Sequence, residues 1–192
     1  MIIFDEQKAD LPNNHFTHVL TSFALVGVPR PRDLLSEAFR ILQPGGTLGI
    51  TIWKFTGWFP LAIDAVASIP GAPPPPSYQE FCNVFLESPG EDRWVDPAFF
   101  EDEIRKAGFE DVKVALHTNE TRDESVEKYL ETYAGVTSTL LGNIWNEEQK
   151  AKFMPPFGAA VKEVMKAKFG DGEVVLGWEA YCVTARVPSS KP

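Results

Sequence analysis

DEQKADLPNNHFTHVLTSFALVGVPRPRDLLSEAFRILQPGGTLGITIW, residues 5–53, reads as strand, loop, helix, tight turn, strand. His18 to Val26 is a β-rich run that is apolar on both alternating sets, with Val19, Phe23 and Leu25 on one and Leu20, Ala24 and Val26 on the other. That is the pattern of a strand covered on both faces. From Leu34 the apolar residues recur at helical spacing through Leu35, Ala38, Phe39, Ile41 and Leu42, with Pro29 and Pro31 marking the helix entry near Asp33 and Pro44 its stop. Gly45 and Gly46 are expected to supply positive φ for a chain reversal, after which Leu48, Ile50 and Ile52 form a second strand. A strand, crossover helix and strand in this order is a unit of a parallel α/β sheet.

Working outward, Met1 to Phe4 is a short apolar run. Beyond Trp53 the pattern loosens into one or two short helices through Trp58, Phe59, Leu61, Val66 and Ile69, and then Gly71 to Pro76, with four consecutive prolines, must be an extended connector. Asp96 and Pro97 open a helix that Gly108 closes, with Glu101 to Glu103 in its amino-terminal half. Val112, Val114 and Leu116 alternate as a strand, and His117 stands at its end. Thr121 and Glu124 have capping-box spacing ahead of an amphipathic helix through Val126, Tyr129, Leu130 and Tyr133. Pro155-Pro156 is expected to separate Asn146 to Met154 from a last helix through Phe157, Val161 and Met165, and Val174 to Val187 reads as a long final strand. With no repeat and no linker, residues 1–192 form one domain.

A chain of 192 residues that is 44% apolar can build a full core. Its net charge of -9 argues against nucleic acid or an anionic membrane as partner. Cys82 and Cys182 have no ligand-like spacing, so neither a disulfide framework nor a metal site is expected, and a reducing, cytoplasmic setting fits. No stretch has the apolar length of a membrane span or the layout of a signal peptide.

Asp5, Leu11-Pro12, Phe16 and the run Glu37-x-x-Arg40-x-Leu42-x-Pro44-Gly45-Gly46 resemble the middle of class I S-adenosylmethionine-dependent methyltransferases of the small-molecule type, related to ubiquinone and menaquinone biosynthesis enzymes. Trp94-x-Asp96-Pro97 and Ala107-Gly108-Phe109-x-Asp111-Val112 continue the resemblance through most of the chain. It implies an α/β, Rossmann-like methyltransferase sheet with helices on both faces and a helical, aromatic-rich cap from residues 53–93 and 119–170. The family's first strand, glycine-rich loop and second-strand acid would all fall before residue 1, so the sheet is expected to be truncated. The implied cofactor is S-adenosyl-L-methionine, with Asp5 accepting from the adenine amino group and Thr21, Ser22 and Phe23 facing its methionine part. Without the glycine loop and the second-strand acid, its affinity should fall severely, and no cofactor at all is the alternative.

A hydroxyl acceptor needs a base, and His15 and His18 are the candidates, against the plainer alternative of a solvated loop residue and a strand start. Trp53, Trp58, Phe81 and Trp94, within an aromatic-rich set that includes Phe59, Tyr78, Phe85 and Trp145, are expected to line an apolar cavity for a lipophilic metabolite, against the alternative of core packing. The readings are a small-molecule methyltransferase, a methyltransferase-derived enzyme that instead cyclises or isomerises a natural product, and a binding subunit without catalysis. The apolar first strand would be an open edge, which predicts a homodimer through it, or a heterodimer with a longer relative.

Overall fold

The computed structural model describes residues 10–25, 27–87 and 93–190, with side chains outside 133–134 and 136–140. In chain order the principal elements are β1 (Phe16–Ser22), α1 (Pro31–Ile41), β2 (Leu42–Thr56), α2 (Phe59–Ser68), α3 (Tyr78–Cys82), α4 (Pro97–Lys106), β3 (Glu110–Asp123), α5 (Val126–Ile144), α6 (Glu147–Phe169) and β4 (Val174–Arg186). The strands form one sheet in the order β1-β2-β4-β3, so the class is α/β, as the patterning required. The chain divides into two compact units, one from Met1–Lys54, Phe85–His117 and Glu179–Pro192, the other from Phe55–Val84 and Thr118–Trp178.

In the first unit β1 and β2 run parallel, with Ser22 opposite Thr51. Between Phe16↔Leu42 and His18↔Thr47, β2 takes up three residues more than β1. The Pro-Gly-Gly segment is therefore absorbed into the strand as an irregularity, where a free-standing reversal was expected. Only Gly45 has positive φ, at +76, and its N–H donates to Val187 O at 3.0 Å. Gly46 is needed for closeness instead: a Cβ there would sit 2.8 Å from Gln43 O. Strand β1 starts and stops earlier than its apolar run, at Ser22 where Val26 was expected; Val26 itself lies outside the described residues. Among the described residues it is also an outer strand, and Leu20, whose Cδ2 lies over the bare backbone of Gly49, is 81% exposed.

Pro31 opens α1 and Asp96 caps α4 by accepting from Ala98 N at 3.0 Å. The α1 stripe of Leu34, Leu35 and Ala38 joins Leu48, Ile50 and Ile52 of β2 with Phe100 and Ile104 of α4 in one buried cluster. Gly108 ends α4 at φ +100, its Cα against the ring of Phe39. The acids of α4 serve ion pairs rather than the first turn: Glu101 holds Arg105 at 2.9 Å, and buried Glu103 accepts from Arg32 and from Lys106. Arg40 ties the approach to β1, gripping Glu37 through two N–H groups and donating to Leu11 O at 2.8 Å.

In the second unit α6 packs against α2 and α5. It runs unbroken through Pro155 and Pro156. The expected break is overruled by packing, because Phe153, Phe157, Val161 and Met165 form a buried stripe spanning both prolines. The cap of α5 is Ser125, which accepts from Lys128 N; Thr121 lies in β3 and accepts from Trp178 Nε1 at 2.9 Å. The capping boxes are instead Ser77 with Glu80 and Asn146 with Gln149. Residues 72–77 are neither helix nor strand, as four prolines dictate.

Candidate functional site

Ligand clefts in parallel α/β sheets lie beyond the carboxyl ends of the strands. At that end of β1, Thr21 and Ser22 close the strand and Phe23 turns away from it with φ +54. An aromatic residue in the left-handed region costs about 1–2 kcal/mol and persists only where its surroundings hold it. Here Thr51 of β2 holds it: the Phe23 N–H donates both to Thr51 O at 3.1 Å and to Thr51 Oγ1 at 3.0 Å. Thr51 Oγ1 in turn lies 3.4 Å from the exposed Ser22 hydroxyl. Two residues on, and so on the same face of β2, Trp53 stacks on Phe23 with ring centroids 3.8 Å apart and planes 11° from parallel. The result is a half-buried flat aromatic pair beside two hydroxyls at the carboxyl ends of parallel strands. Thr51 was not singled out in the sequence; the signal that could have found it is its two-residue spacing from Trp53.

The other candidates separate. His15 is exposed at the amino end of β1, its ring edge-on to Phe16 at 5.0 Å and its N–H donating to Ile41 O at 2.8 Å. Eight residues of extended chain put it on the order of 25 Å from Phe23. His18 is mid-strand and exposed, with Nδ1 3.0 Å from Thr17 Oγ1. Neither histidine is brought to the end where Ser22 and Phe23 stand. Asp5 lies outside the described residues. Trp94 is fully buried in the first unit's core, edge-on to Phe99 at 5.3 Å with the Arg32 guanidinium 5.5 Å from its ring centre, so it presents no ring face to a ligand.

Trp58 and Phe81 do meet, in the second unit, edge to face at 5.4 Å. Phe59 adds contacts at 5.2 Å to Phe81 and 5.0 Å to Tyr78, making a four-ring cluster. Beside it in sequence, the buried Thr56 hydroxyl faces that of Tyr78. Burial raises the Tyr78 hydroxyl well above its ordinary range and pushes the Cys82 thiol up to about 12, so both are protonated at neutral pH. Both cysteines are free thiols. Among the described residues no group of His, Cys, Asp or Glu side chains could hold a metal ion, and no helix is long and apolar enough to cross a membrane.

Residues 1–50 match the methyltransferase domain family. Over 187 residues the chain is 29% identical to the acetylaranotin bis-thiomethyltransferase of Aspergillus terreus, covering 97% of this chain and 61% of that protein. Over 192 residues it is 30% identical to the methyltransferase tpcH of Aspergillus fumigatus, covering 97% of this chain and 64% of that one. It thus spans a little over three fifths of the length of these relatives. Among solved structures, the YcgJ protein of Bacillus subtilis aligns with a TM-score of 0.47 at 10% identity, covering 95% of this chain and 68% of that one.

Proposed function

We propose, from the match of residues 1–50 to the methyltransferase domain family and the likeness to fungal methyltransferases, that this chain is a class I S-adenosylmethionine-dependent methyltransferase that takes part in methyl transfer to a small apolar metabolite of natural-product type, in the cytoplasm, with Ser22, Phe23, Thr51 and Trp53 at the reacting end. The observation that carries this reading is the left-handed Phe23, held by Thr51 and stacked on Trp53 where β1 ends. S-adenosyl-L-methionine, when bound, supplies an electrophilic methyl group on a sulfonium centre.

The residues present fit such a group in part. The Phe23 N–H is already engaged by Thr51, so the strand end offers the Ser22 hydroxyl, backbone carbonyls and the aromatic pair. A π-face beside a cationic sulfur is favourable by about 0.5–2 kcal/mol. Phe23 and Trp53 would also keep water from that flank, and Thr51 would fix their geometry. With both histidines elsewhere on β1, the chain contributes orientation more than proton abstraction. An acceptor that ionises readily suits this end: a thiol, with a pKa near 8.5, ahead of an alcohol. The relative named as a bis-thiomethyltransferase supports that order.

Calorimetric titration of the purified chain with S-adenosyl-L-methionine and S-adenosylhomocysteine tests the reading. It requires saturable heat from both ligands, weakened in Trp53→Ala. Binding unaffected by Trp53→Ala would remove the aromatic pair from the site, and absence of heat would count against cofactor use by this chain.

A further inference from the structure

Residues 72–77, the run Ala-Pro-Pro-Pro-Pro-Ser, lie between α2 and α3 within the second unit. Nothing in the methyl-transfer chemistry uses them. Their conformation is dictated locally. Each proline holds its own φ at about −65° and disfavours helix at the residue before it, so four in a row leave the left-handed polyproline II form. Ser77 ends the run at φ −65 and ψ 161, within that form. Both ends are tied down: the Ala72 N–H donates to Ile69 O at 3.1 Å, and the Ser77 N–H donates to Glu80 Oε2 at 2.8 Å. The segment is therefore ordered before any partner arrives, which lowers the entropic cost of binding it.

The surface it shows has the three-residue period of that helix. Pro74 and Ser77, one turn apart, are exposed, whereas residues 72, 73, 75 and 76 are half-buried. A ridge of the segment thus faces solvent with partly open prolines on either side. Such a ridge fits an aromatic-lined groove whose rings clasp consecutive prolines. Charge narrows the partner. No Lys or Arg lies between residues 55 and 84, so a groove that adds an acidic pocket for a basic flank, as SH3 modules do, has nothing to hold here. Pro75-Pro76-Ser77-Tyr78 also has the Pro-Pro-x-Tyr spacing that some WW modules read through the tyrosine. Here the Tyr78 ring is engaged edge-on with Phe59 at 5.0 Å and its hydroxyl faces Thr56. The prolines are presented and the tyrosine is withheld. We propose that residues 72–77 are a docking segment for a second protein with a WW-type module, whose uncharged aromatic groove clasps the prolines around Pro74. The inference goes beyond the methyltransferase reading and does not depend on it.

Titration of the full chain into an isotope-labelled WW domain, followed by the NMR signal of the indole N–H in its groove, tests the proposal. A saturable shift is expected. Pro74→Ala, at an exposed position outside helix and strand, should weaken binding at least about tenfold by removing the central ring from the groove. Tyr78→Phe keeps the ring in its cluster and should leave binding unchanged. Circular dichroism checks that both variants fold as the parent chain does. No shift at millimolar chain would overturn the proposal. So would a shift that Pro74→Ala leaves intact, a shift that Tyr78→Phe abolishes, since the tyrosine would then be what is read, or saturable binding to an SH3 domain in place of the WW domain.

Discussion

Replacing Phe23 by glycine and by alanine isolates the backbone strain at the candidate site. Both replacements lose the same stacking on Trp53, worth about 0.5–1.5 kcal/mol, so that loss cancels between them. What remains is φ +54. Alanine keeps the left-handed penalty of about 1–2 kcal/mol, and glycine removes it. Glycine in exchange gives the unfolded chain more freedom, at about 0.4–1 kcal/mol. The balance favours glycine by on the order of 0.5–1 kcal/mol, the reverse of the order at an ordinary position. Urea unfolding followed by tryptophan fluorescence and fitted by linear extrapolation reads the difference, provided both variants share one slope. An alanine variant as stable as glycine, or more so, would refute the left-handed placement of Phe23 and with it the geometry of this strand end.

Pro156→Ala restores an N–H inside the continuous helix α6 and should raise the urea midpoint by roughly 1–3 kcal/mol equivalent; an unchanged midpoint would mean that the helix breaks there. Glu103→Gln exchanges a buried carboxylate facing Arg32 for a neutral amide, and with the Arg32 side chain 53% exposed the loss should be about 1–2 kcal/mol, read by thermal unfolding. Cys82, with its thiol raised from 9.0 to about 12, should resist iodoacetamide at pH 8 while half-buried Cys182 reacts, as peptide mass mapping would show; equal labelling would contradict its burial. Since the folded chain holds that proton more tightly than the unfolded chain, its stabilisation is complete below about pH 9 and is lost as pH rises toward 12, so alkaline unfolding should come later in Cys82→Ala.

Helices α1 and α4 were legible because several signals agreed: Pro31 or Pro97 at the first turn, Asp96 as cap, Gly108 as stop and apolar residues at helical spacing. The limits of β1 were not. Its apolar run continues past Ser22, and only the hydrogen bonds from Phe23 to Thr51, fixed by a residue 28 positions away, turn the chain. Burial of Leu20 was expected from the strand's two-sided apolar pattern, whereas its exposure goes with the place of β1 at the sheet edge, which the resemblance and not the local pattern implied. The prolines of α6 misled because long-range packing of Phe153 and Phe157 outweighs local propensity. At the site, Thr21 to Phe23 were singled out by resemblance, whereas the Thr51 contact emerges only when the parallel register of β1 and β2 is known.

Methyl transfer itself is the most direct test. The purified chain would be incubated with S-adenosyl-L-methionine carrying a deuterated methyl group and a panel of apolar thiols, phenols and alcohols, and the products read by mass spectrometry. The account predicts label on a small apolar acceptor, thiols first, reduced in Trp53→Ala. Absence of label from every acceptor, in a folded chain that binds the cofactor, would contradict it.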